Sequence, residues 1–191
     1  MSITSYPKVI TMGGGVGDYP YWLQVSRGLV DGHKRLFKFG FNADINDSTE
    51  DIWSVGGVYT YQSSALAMTV TSDAGATDNG VQVTVQGLDA SYNEVSETVT
   101  LAGSGTATTT QTYLRVFRAF VSGSQEPTNN INITNGGTTY ARISTGENQS
   151  LMTLWTVPAG YTAYLLQTDV TAFTEQNNKF ATVAIKTREL N

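Results

Sequence analysis

Gly13 to Gly17 reads GGGVG, a glycine run of the kind that cradles phosphate when Lys-Ser/Thr and a helix follow it. Here Asp18-Tyr19-Pro20 follows instead. A carboxylate repels phosphate and this context does not open a helix, so the run reads as part of a flexible arm. Asn42-Ala-Asp44-Ile-Asn46-Asp47 alternates oxygen-bearing side chains in the manner of a calcium loop. An EF-hand loop needs Gly at its sixth position and Glu at its twelfth, where this chain has Asp47 and Trp53. The segment therefore reads as a polar loop whose side chains bond their own backbone, with an irregular calcium site as the alternative. His33 is the single histidine. A catalytic zinc site needs three protein ligands and a Ser-His-Asp relay needs a placed partner. Neither is signalled, and His33 beside Lys34 and Arg35 reads as surface. There is no cysteine, which removes disulfides, thiolate nucleophiles and cysteine zinc sites together. Any two of the 16 acids could be nominated as a glycosidase pair, so that criterion selects none. Asn46-Asp-Ser48, Asn132-Ile-Thr134 and Asn148-Gln-Ser150 match the glycosylation pattern, yet MSITSYPKVITMGGG lacks the apolar core of a secretory signal. The expectation is a chain without enzymatic activity, cofactor or metal.

The elements that must position any site are strands. Helix periodicity is nearly absent, with one short candidate around Tyr21 to Val30. Leu66 to Ser72 reads as a strand, and Asp73 to Gly80 as a loop of small turn residues. Val81, Val83 and Val85 face one way while Gln82, Thr84 and Gln86 face the other. After the turn residues of Gly87 to Asn93, Val95, Val99 and Leu101 share a face opposite Glu94, Ser96, Thr98 and Thr100. Such alternation predicts one buried and one wet side. Glu97 interrupts the apolar face and must lie near an edge or find a partner. Thr112 to Val121 reads as a strand, and Ile131 to Thr134 with Thr138 to Ser144 as a hairpin around Asn135-Gly136-Gly137. Leu151 to Val157, Tyr161 to Phe173 and Phe180 to Thr187 complete the set, the first two parted by Pro158-Ala-Gly160. Eight or more short strands predict an all-β chain, an antiparallel two-sheet β-sandwich of jelly-roll type, with a closed barrel as the competing architecture. Residues 1–36 read as an extended N-terminal arm and 37–191 as the sandwich domain. At 191 residues the chain is long enough to bury a core without staples.

Charged residues make up 14% of the chain, with net charge −5, against about 25% charged in ordinary soluble domains. A Thr-, Ser-, Asn-, Gln- and Gly-rich surface suits interfaces. Between Phe39 and Leu114 there is no Lys or Arg, while the first 38 residues hold five basic residues against two acids. No broad basic stripe exists to neutralise phosphates, so nucleic acid is not an expected partner. No apolar run approaches the roughly 20 residues of a membrane span. Ordinary solvated surface explains the charge distribution; a basic arm docking on an acidic neighbour is the sharper reading. Tyr19, Tyr21 and Trp22 lie in that arm, where rings serve readily as interface anchors. Together with Lys34, Arg35 and Lys38 they form the expected interaction set. Trp53, Tyr59 and Tyr61 around Gly56-Gly57 read as packing residues.

The segment FKFGFNADINDSTEDIWSVGGVYTY, residues 37–61, carries Lys38-Phe39-Gly40, an acidic stretch, Ile52-Trp53 and Gly56-Gly57-Val58-Tyr59. With GLDASYNEVSETVTL (87–101), YLRVFRAFV (113–121) and WTVPAGYTAYL (155–165), it resembles small virion structural proteins of tailed phages of marine and freshwater bacteria, cyanophage-like viruses included. The resemblance covers most of residues 37–165 and rests on the order and spacing of the blocks. It implies a particle component made in the bacterial cytoplasm and carried on the virion, foremost a capsid decoration (cement) protein. Such a protein would form homotrimers and contact the major capsid protein at the capsid surface. The alternative is a tail or fibre adsorption module that binds host-surface glycan through Tyr92, Tyr140 and Asn148.

Overall fold

The computed structural model describes residues 19–46, 48–173 and 181–187. Among them one α-helix, α1 (Tyr21–Ser26), precedes seven strands: β1 (Leu66–Ser72), β2 (Gln82–Leu88), β3 (Glu94–Thr100), β4 (Thr106–Tyr113), β5 (Arg115–Val121), β6 (Ile131–Asn135) and β7 (Thr138–Ile143), with a 3-10 turn at Gly75–Asp78 between β1 and β2. They form two antiparallel sheets, ordered β4-β1-β6-β7 and β3-β2-β5. The all-β, two-sheet sandwich expected from the alternation is present. A jelly roll has eight strands; the described residues supply seven.

The alternation is visible in the β2–β3 wall with one exception, Thr84, which was expected on the wet face and is buried, its hydroxyl bonded to that of Thr98 at 2.7 Å. Val83 and Val85 of β2 pair in register with Val99 and Glu97 of β3. Val81, Val83 and Val85 are fully buried, and Val99 and Leu101 nearly so. They meet Met68 and Val70 of β1, Ile131 and Ile133 of β6, and Ala141 and Ile143 of β7 in one core between the sheets. Glu94, Ser96, Thr98 and Thr100 point to the outside. The hairpin from β6 to β7 closes through Gly136 and Gly137 with φ of 56° and 82°, the two consecutive positive values that a type I′ turn requires. At β2, a side chain on Gly87 would overlap the Arg115 carbonyl oxygen, where the β2–β5 register shifts.

Four strand expectations are corrected. Thr112 to Val121 is not one strand: β4 ends at Tyr113, β5 begins at Arg115, and the chain crosses from one sheet to the other at Leu114. Tyr113, Leu114, Arg115 and Val116 are all buried, a run that a one-sided strand cannot have and a crossing between layers needs. Leu151 to Val157 contributes only the Met152–Trp53 bridge. Tyr161 to Phe173 and 181–187 carry no strand and are exposed throughout; Phe180 lies outside the described residues. Alternating side chains make a strand only when a neighbouring backbone takes its N–H and C=O groups; Leu151 and Thr153 find such partners in Phe41, Ser54 and Ile52, but among the described residues 162–173 and 181–187 find none.

Candidate interaction surface

Pro20 leads into α1 by accepting the Leu23 and Gln24 backbone N–H groups at 2.9 and 3.2 Å. Gln24 is the buried residue of this helix, its amide donating to the Tyr19 carbonyl at 2.8 Å. Tyr21 and Trp22 are thereby turned outward and stay half-exposed. The chain then runs extended across the body, and its two faces differ. Lys38 donates to the Phe117 carbonyl of β5, and Asn42 donates to Glu50 at 2.8 Å. Between them Gly40 lies so close to the body that an added Cβ would be 2.6 Å from the Thr153 methyl and 2.7 Å from the Ile52 carbonyl oxygen. With 38, 40 and 42 turned inward, Phe37, Phe39 and Phe41 must point outward, and they are 60%, 65% and 58% exposed.

The outward rings form a ladder. Phe37 and Phe39 stack with centroids 6.4 Å apart and planes 10° off parallel. The Arg35 guanidinium lies 4.1 Å from the Phe37 centroid and 5.0 Å from that of Trp22. A cation over a ring face is held by the ring quadrupole, so Trp22, Arg35, Phe37 and Phe39 make one continuous stack. Tyr19 is covered by Arg27 at 5.1 Å, and Tyr21 meets His33 edge-on at 5.9 Å. Lys34 pairs with Glu94 at 3.7 Å and lies 5.6 Å from the Tyr161 ring. Both partners of that ion pair are solvated, so it contributes little energy.

The structure thus brings Trp22 and Arg35 together and sets Lys34 on β3. Lys38 turns away from the outer surface, where it was expected to dock, onto the protein's own β5. Burial, and then the nearby Arg118 charge, push its ammonium down to about 8. The phenylalanine ladder itself is the addition; its only signal is the F-x-F-x-F spacing of residues 37–41.

The Asn42–Asn46 loop is organised by one acid. Glu50 accepts from the Gly57 backbone at 3.0 Å, from Asn42 at 2.8 Å and from the Asn46 side chain at 2.9 Å. These bonds, that from Gly57 first, hold its carboxyl down at about 2. Among the described residues no group of three acids or histidines is placed to hold a metal, and Asp47 lies outside them. Trp53 and Tyr59 are buried as expected, with Tyr61 more open.

The glycan residues of the alternative reading are not gathered into a platform. Tyr140 is a core residue of β7, 6% exposed, edge-on to Tyr59. Tyr92 is half-buried and holds the base of the C-terminal segment, its carbonyl accepting the Ala159 N–H at 2.8 Å. Arg115 is the buried cation that the sequence conceals. It donates to the Gln62 and Leu114 carbonyls at 2.9 and 2.7 Å and lies between the Tyr61 and Tyr92 rings. A cavity of about 10 Å³ borders Arg115, Tyr59, Tyr61 and Trp155, room for about one water.

Set against known proteins, the chain matches no family model, no curated protein and no solved structure.

Proposed function

We propose that this chain is a non-enzymatic virion structural protein, a decoration (cement) protein of a tailed-phage head. The observation that supports this reading is the combination of a rigid sandwich with exposed apolar segments on both sides of it in sequence. Residues 36–41 present Leu36, Phe37, Phe39 and Phe41 to solvent, and residues 161–173 present Tyr164, Leu165, Leu166 and Phe173. Single exposed hydrophobic residues are ordinary, whereas contiguous ones mark contact surfaces. A surface poor in charge and rich in Thr and Gln fits the same use. The proposed mechanism is energetic. Copies associate as trimers, bind neighbouring major capsid proteins, and add interface free energy that opposes the pressure of packaged DNA. The stack of Trp22, Arg35 and Phe37 supplies the anchors, since aromatic and arginine side chains dominate interface energetics.

Immunogold electron microscopy of phage particles, with an antibody to this chain, tests the proposal. Gold scattered over the heads is the expected result. Gold confined to tails or fibres would replace decoration with adsorption, and unlabelled particles would remove the virion reading altogether.

A further inference from the structure

We infer that residues 161–173 of one copy cover the phenylalanine ladder of a second copy of this chain. The ladder and the segment are complementary halves held apart in one molecule. Phe37, Phe39 and Phe41 repeat every second residue on a backbone fixed from below by Lys38, Gly40 and Asn42. In residues 161–173, Tyr164, Leu166 and Val170 fall on one side of an extended chain and are 79%, 70% and 48% exposed. An extended chain with a period of two is what a row of rings with that period can accept.

The areas also match. Aromatic side chains carry roughly 150–250 Å² each. Scaled by their exposures, the three phenylalanines leave roughly 350 Å² of ring in water, and Tyr164, Leu166 and Val170 on the facing side of the segment leave about as much. A copy that gives its segment to one neighbour and its ladder to another covers roughly 700 Å² over its two contacts, close to the about 800 Å² that a stable association buries on each partner. Charge agrees with this pairing: Asp169 is the one acid in 161–173, while Lys34 and Arg35 stand at one end of the ladder.

The sequence of the segment favours a second copy over its own body. The segment leaves the body beside the ladder, with Tyr161 next to Lys34. In the single chain it does not cover its own phenylalanines, since both the segment and the rings stay exposed. Between Gly160 and Asp169 there is no Gly, Pro, Asn, Asp or Ser, the residues that make tight turns. A segment of one chain meeting the ladder of the next is a heterologous contact, which forms a ring where the rotation between copies closes and an open filament where it does not. The inference needs only self-association and stands whether or not the chain is found on a phage head.

Sedimentation velocity over a concentration series tests it on three full-length chains. The wild type should sediment as two or more chains. Phe37→Ser with Phe39→Ser, and separately Leu165→Asp with Leu166→Asp, should each sediment as one chain with an unchanged circular-dichroism spectrum, because all four positions are exposed. Mixed in equal amounts, the two variants should recover a two-chain species, since one supplies an intact segment and the other an intact ladder. A monomeric wild type, a variant that assembles like the wild type, or a mixture that stays at one chain would each overturn the inference. Because mass in solution and gold on particles are separate readouts, failure of either proposal leaves the other legible.

Discussion

The Glu97 carboxylate receives the Gln111 backbone N–H at 2.7 Å and the Thr110 N–H at 3.0 Å. This joins the outer strands β3 and β4 of the two sheets by a side chain where no ladder runs. The acid that breaks the apolar face of its strand is therefore an edge device: it occupies donors that would otherwise invite a foreign strand. Glu97→Ala should cost about 1 kcal/mol in urea unfolding, near the net value of a lost hydrogen bond, and should speed aggregation on mild heating. Glu97→Gln, which keeps an acceptor, should fall between. An alanine variant with wild-type stability and solubility would show that the edge needs no cover.

Gly87 is required by the backbone of β5. Any Cβ there would overlap the Arg115 carbonyl oxygen and sit 2.7 Å from the Tyr113 ring, at the point where the chain changes sheets. Gly87→Ala should destabilise by about 1–3 kcal/mol, the usual range for overpacking, with a lowered thermal midpoint. Unchanged stability would mean that the crossing at Leu114 yields more easily than its four buried residues suggest.

That crossing also marks where the sequence becomes hard to read. The hairpin walls were legible because Val81, Val83, Val85 and Val99 lie against a core on one side and water on the other, which prints a period of two. Asn135-Gly136-Gly137 was legible because few backbones tolerate consecutive positive φ. Arg115 was not, since YLRVFRAFV offers two arginines and nothing in their types tells the buried one from Arg118, whose Nε donates to Gln149. Tyr161 to Phe173 has the aromatic and aliphatic content of a strand after a Pro158-Ala-Gly160 turn, yet content reports what a segment can pair with and not whether its own chain supplies the partner. The phenylalanine ladder was hidden for a similar reason. Its spacing stands in the sequence, but which face is outward depends on Lys38 reaching Phe117 and Gly40 pressing against Thr153.

Acid stability should depend on Asp78, which is fully buried. Burial pushes its carboxyl up, but the bonds from Ser72 at 2.5 Å and from the Thr128 backbone and hydroxyl at 2.9 and 2.8 Å outweigh it, and the group ends below the ordinary value. A carboxyl that is more acidic folded than unfolded binds fewer protons when folded. Its stabilisation is complete above the unfolded value of 3.8 and drains as pH falls toward the folded one. Thermal midpoints should therefore drop below about pH 4, in the direction that linkage requires. Asp78→Asn should lower the midpoint at neutral pH, because with its oxygen kept toward Thr128 its amide donor would face the Ser72 hydroxyl that now donates to Asp78, and the remaining bonds lose their charge. It should also flatten the acid limb. An equally steep limb in the variant would assign acid sensitivity to other carboxyls, Glu50 first.

Lys38 should act at the opposite end of the pH scale, with the opposite sign. Its ammonium, pushed down to about 8 by burial and then by Arg118, is less basic folded than unfolded. Between that value and the ordinary 10.5 the folded protein holds fewer protons, so stability rises with pH across this window. Melting between about pH 7 and 9 isolates the effect, because burial raises the Tyr59 and Tyr113 hydroxyls and those groups act against folding only at higher pH. The wild type should gain stability over this range. Lys38→Met, which keeps the length of the side chain and removes the charge, should abolish the gain, while Lys34→Met at the exposed neighbour should retain it. The neutral amine keeps N–H groups to donate to the Phe117 carbonyl, so deprotonation of Lys38 should also leave the ladder in place. If the alkaline gain persisted in Lys38→Met, the cation at residue 38 would have to be solvated and the ribbon would not lie against β5 as described.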